Sequence, residues 1–164
     1  MGLSVNVRFA LGTIRLQRRE GAQITMLHQR ARSLLAAAGF PDGKGFPLVE
    51  YLYIPLPVER NIAGELQAMW QKNLGVTVNL KKQEQKIWLS SMRSLDYDLC
   101  RSSWVGDYND PMTFLDMWVK GGGNNNSGWS RPRYDSLIAA AASTADRERR
   151  FAAFPAAEAL LLDE

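Results

Sequence analysis

YDLCRSSWVGDYNDP, residues 97–111, begins as a strand and ends as a turn. Side chains alternate along an extended chain, so Tyr97, Leu99 and Arg101 take one face and Asp98, Cys100 and Ser102 the other. Gly106, Asp107, Asn109, Asp110 and Pro111 are residues that leave regular structure readily. The expected arrangement is a buried strand over 97–103 that delivers Trp104, and then two acids, to one rim of the fold. A large aromatic, an exposed main chain and a carboxylate at a strand's end suit a binding site on a rigid scaffold.

The residues upstream supply that scaffold. LVEYLYI, residues 48–54, is rich in β-formers, and Pro55 and Pro57 end it. Over 59–74, Ile62, Leu66, Met69, Trp70 and Leu74 share one helical face, and Gly75 is placed to cap the end. Val76, Val78 and Leu80 then alternate with Thr77, Asn79 and Lys81, which predicts a second strand over 76–81. Residues 85–95 predict another helix, with Trp88, Met92 and Leu95 as its stripe. Strand, helix, strand, helix, strand is the βαβαβ signature of parallel neighbours joined by right-handed crossovers. In open α/β sheets ligands gather beyond the carboxyl ends of the strands, the place that residues 104–110 occupy for the third strand.

The flanks are simpler. Ala31, Leu34, Leu35 and Ala38 have helical spacing, stopped by Gly39 and Pro41. Lys44 in FPDGKGFP invites a phosphate-loop reading. The stretch lacks the longer spacing and Ser/Thr of that motif, so it reads as a plain connector. Downstream, 112–119 predicts a short helix and KGGGNNNSGW a solvated loop. A helix over 132–142 turns Tyr134, Leu137, Ile138 and Ala141 inward. A last helix from about Asp146 carries Phe151, Phe154, Leu161 and Leu162, and Pro155 inside it predicts a kink. Residues 1–27 show only weak patterning and are left unassigned.

WVGDYNDP, followed by TFLDMWVKGGGNNNSGW and PRYDSLI, resembles the oligopeptide-binding proteins of ABC peptide transporters, the family 5 extracellular solute-binding proteins. The resemblance runs from about Ala31 to Glu164, and GKGFP also has a counterpart there. It implies an α/β fold: part of one lobe of a periplasmic-binding-protein type II-like fold, with a βαβαβ core and C-terminal helices over 28–164. It implies an oligopeptide ligand, ABC transporter permease subunits as partners, and a periplasmic or extracellular place of work. Such proteins carry several hundred residues before the matched part and close two lobes on the ligand. The chain is therefore expected to be a truncated, C-terminal piece that alone binds free peptides weakly or not at all. MGLSVNVRFALGTIRLQRREG lacks the unbroken apolar core of a signal peptide, so a chain made as it stands is expected in the cytoplasm.

By the same resemblance Trp104 and Val105 offer main-chain groups to the peptide and Asp107 holds its α-amino group. Arg101 matches a basic residue near the ligand's carboxylate or in the buried charge network around it. A mutual Arg101–Asp107 ion pair is the structural alternative. Asn109, Asp110 and Pro111 are read as shaping the turn. Asp96 and Asp98 are read as capping residues rather than a catalytic pair.

Composition narrows the classes. The 164 residues suit one domain, 46% apolar and 23% charged, with a net charge of +3 that is too balanced to argue for nucleic acid. One cysteine, Cys100, excludes an internal disulfide, and with a single histidine it excludes the usual zinc sets. No cofactor or metal is expected, and Cys100 reads as an inert thiol. No run approaches the ~20 apolar residues of a membrane span. A hydrolase using Asp107, Asp110 and His28 is the competing reading, although no nucleophile motif accompanies them. An interaction module with an exposed apolar half-interface is a third.

Overall fold

The computed structural model describes residues 21–163. The chain divides into two compact units, one built from the residues before Met92 together with Tyr97–Arg101, the other from Met92–Asp96 and Ser102 onward.

The first unit opens with helix α1, Gly21–Ala37. It starts well before the periodicity at Ala31; the earlier part of the unassigned segment, residues 1–20, lies outside the described residues. Leu35 is buried, whereas Leu34 stays half exposed. The connector after α1 is tighter than a plain loop. Gly43 and Gly75 both have positive φ, and a Cβ on Gly75 would collide with the Asp42 carbonyl. Glycine is required on both sides of that approach.

Strand β1, Val49–Tyr53, leads to helix α2, Pro57–Leu74. Proline suits the first turn of α2, where its missing N–H has no helical partner. Gly75 closes the helix at φ 68, its N–H donating to Gln71 O at 3.1 Å. Strand β2, Val78–Lys82, and helix α3, Gln85–Arg93, follow; the last residues of α3 count with the second unit. Gln67 donates from α2 to Val78 O at 2.6 Å, and Arg32 Nε from α1 to Asn73 O at 2.7 Å.

Strand β3 is only Leu99–Cys100, not 97–103, and both residues are half-buried. All pairings are parallel, as the crossovers require, but the order is β2-β1-β3: the third strand lies beside β1 and not beside β2. β1 is central and nearly all buried, because its run of apolar residues has both faces to cover. Tyr51, Tyr53, Ala63, Trp70, Leu74, Val76 and Val78 close the core with Leu35.

The second unit is helical: α4, Met112–Leu115, continued by a 3-10 turn through Trp118; α5, Pro132–Ser143; and α6, Arg147–Asp163. Met112, Leu115, Tyr134, Ile138, Ala141, Phe154 and Ala157 form its core. Tyr134 is fully buried; its hydroxyl donates to Leu115 O at 2.6 Å and its ring meets Trp129 edge-on at 4.9 Å. Pro155 does not end α6, which runs on to Asp163. Leu95 lies past the end of α3 with φ +58 and is half exposed, so it is not part of that helix's stripe.

The GGGNNNSGW loop is built, not merely solvated. Asn125 Nδ2 donates to Trp118 O at 2.9 Å and Trp129 O at 3.0 Å, while Oδ1 accepts from Ser127 N–H and Oγ. One amide side chain thus satisfies carbonyls at both ends of the loop.

Candidate functional site

Beyond β3 the main chain leaves the sheet. Arg101 N–H makes the last rung, to Leu52 O at 2.9 Å. Among the described residues, the main-chain groups of 103–106 make no hydrogen bond. Val105 is 85% exposed. Trp104 is half-buried, with its indole N–H covered and unpartnered, an arrangement that costs stability. Gly106 then brings the chain against α4: a Cβ there would lie 3.0 Å from Phe114 Cζ and 3.1 Å from Thr113 Cγ2.

The turn after Gly106 is fastened at Asp107 N–H and at Asp110. Asp107 N–H donates to Thr113 Oγ1 at 3.0 Å, and Thr113 is 2% exposed. Asp110 Oδ1 accepts from Met112 N–H at 2.9 Å, which starts α4. Arg150, on α6, grips the same carboxylate with both terminal nitrogens, Nη2 to Oδ1 at 2.9 Å and Nη1 to Oδ2. The Arg150 hydrogen bond, and next the Met112 N–H, hold the Asp110 carboxyl below its usual range. Both oxygens of Asp110 are thereby engaged, which ties it to the turn and to α6.

Asp107 is the exception. Its side chain is exposed, and among the described residues of its unit no hydrogen bond or ion pair engages the carboxylate.

Arg101 belongs to the first unit, and Trp104, Val105 and Asp107 to the second. Arg101 Nε lies 3.3 Å from Glu59 Oε2 in the first turn of α2. The separation is that of an ion pair, but the oxygen accepts no aligned hydrogen bond and is itself covered. Glu59 was not singled out by the sequence; its place two residues after a helix-opening proline was the available signal. Burial pushes the neighbouring Tyr51 phenol up to about 12. Asp98 Oδ2 accepts from Glu50 N–H at 2.9 Å, joining β1 to the segment before β3. His28 is on α1 of the first unit.

The small parallel sheet with its crossover helices is an α/β construction. Comparison with known proteins identifies the family. Residues 25–126 match the bacterial extracellular solute-binding proteins, family 5 Middle, and the chain belongs to that family. It is 38% identical over 138 residues to the periplasmic murein peptide-binding protein MppA of Escherichia coli, covering 84% of this chain and 26% of MppA. It is 34% identical over 131 residues to the oligopeptide-binding protein OppA of Bacillus subtilis, covering 79% of this chain and 24% of OppA. The chain thus spans about a quarter of the length of the curated relatives it matches. The solved structure of the Escherichia coli murein tripeptide-binding protein MppA superposes with a TM-score of 0.84 at 30% identity, over 96% of this chain and 37% of that one. Haemophilus influenzae OppA in complex with RPPGFSPFR gives 0.79 at 29% identity, over 88% and 28%. No helix among the described residues is long and apolar enough to cross a membrane.

Proposed function

We propose that this chain is peptide-gripping material: residues 28–164 form part of the C-terminal lobe of the peptide-binding component of an ABC peptide transporter. It binds oligopeptides without chemistry, outside the cytoplasmic membrane, for delivery to permease subunits. The observation that carries the reading is the uncommitted Asp107 carboxylate beside Asp110, whose carboxylate is held by Arg150 and Met112 N–H. A receptor for peptides of many sequences must hold what all peptides share. The α-ammonium is one such group, and a carboxylate receives it through a charge-assisted hydrogen bond. The main chain is another, and Trp104 and Val105 present unpaired groups that an extended ligand meets by strand addition. Arg101, paired with Glu59, is the basic residue that the family resemblance puts near the ligand's carboxylate or in the charge network around it.

Chemical-shift mapping tests this. Millimolar tri-alanine added to the isotopically labelled chain is expected to move the amide resonances of residues 104–107 first. Shifts confined to residues far from this segment would contradict the assignment.

A further inference from the structure

We propose that Arg150 is the positioning residue of the Asp107 site, acting through Asp110; the inference rests on Asp107 being the acid that meets the ligand's ammonium. Arg150 and Asp110 are 40 positions apart, and the side chains are only 25% and 21% exposed. Their two parallel contacts form a fork that fixes the plane of the carboxylate as well as its place. The guanidinium also lies over the Phe154 ring, 5.2 Å from its centroid, and Phe154 is core. The anchor is therefore set from the interior of the helical unit.

From that anchor a short relay reaches Asp107. Asp110 O accepts from Thr113 N–H at 3.2 Å, Asp110 Oδ1 from Met112 N–H, and Thr113 Oγ1 from Asp107 N–H. Arg150 thus holds Asp110, Asp110 holds the first turn of α4, and that turn holds the main chain of Asp107. Arg150 is not offered as a ligand contact. It gives a carboxylate already aimed, which spares the ordering cost at binding. Lysine keeps the charge and loses the fork, so it is a poor substitute.

A mere staple between α6 and the turn would alter stability and affect all ligands alike. A positioning residue alters the difference between ligands that have the ammonium and ligands that lack it. The test is NMR titration of the chain with tri-alanine and N-acetyl-tri-alanine, for the wild type, Asp107→Asn, Arg150→Lys and Arg150→Gln. The wild type is expected to prefer the free amine by about tenfold, the worth of one charge-assisted bond. Both Arg150 variants should lose most of that preference while binding the acetylated peptide as before, and Arg150→Lys should not restore it. Hydrogen exchange gives a ligand-free readout: the Asp107 amide should exchange faster in Arg150→Lys, with the Tyr134 amide unchanged. Preference lost in Asp107→Asn but intact in both Arg150 variants would overturn the positioning role alone. Affinity for both peptides falling together would reduce Arg150 to a staple. No preference in the wild type would remove the Asp107 reading, and this inference with it.

Discussion

Asp107 and Asp110 sit three positions apart in one turn and have opposite fates. Asp110 is consumed by Arg150 and Met112, and Asp107 is left to solvent. The Asp110 pairing makes a pH prediction. Its folded-state carboxyl lies below the unfolded value, so the stability it contributes is present above the unfolded value and is lost as pH falls through the folded one. Acid titrations of wild type and Asp110→Asn should therefore differ near neutrality and converge at the acid end. Curves that stay parallel to the lowest pH would show that the pairing contributes nothing. Cys100 makes another. Burial raises its thiol to about 11, so little thiolate exists near neutral pH. Iodoacetamide should label it slowly in the native chain and readily in urea; equal rates would mean an open thiol. The family resemblance singled out Asp107 and left Asp110 to the turn, but local sequence offered no physical reason for the difference. The partner that decides the matter, Arg150, lies on the last helix and carries no local signal.

Local chemistry made most elements legible. Most of the α2 stripe (Leu66, Trp70 and Leu74, with Gly75 behind it) and the alternating Val76, Val78 and Leu80 survive in the structure because those residues meet one core. What failed depended on distant pairing. β3 is two residues long; among the described residues it pairs with β1 alone, whose carbonyl at Leu52 takes the last rung. The strand order was hidden too, although the nearly unbroken apolar run VEYLY was a cue to a central strand. The Asn125 loop reads from sequence as merely solvated because glycine and asparagine say nothing of which carbonyls await a donor. Asn125→Ala should cost about 1–3 kcal/mol by leaving those carbonyls short, measured by urea denaturation. An unchanged midpoint would mean that water replaces the amide without loss. Pro155 offers the opposite sign. It is exposed in the interior of α6 and leaves one helical carbonyl without its N–H. Pro155→Ala should stabilise the chain by up to about 3 kcal/mol. Destabilisation would mean that the helix needs the shape proline imposes.

At the scale of the whole molecule, the family match over residues 25–126 places the chain in the family 5 solute-binding proteins. The central claim concerns what the turn past β3 is for, and calorimetry or NMR titration of Asp107→Asn tests it most directly. The substitution keeps the shape and removes the charge. Free-amine tripeptide should bind the variant more weakly by about 1.5–3 kcal/mol, roughly 10- to 100-fold, while the thermal midpoint scarcely moves. N-acetylated tripeptide should bind both proteins equally and poorly. Equal affinity of the two proteins for the free-amine peptide would make Asp107 a turn residue and contradict the account.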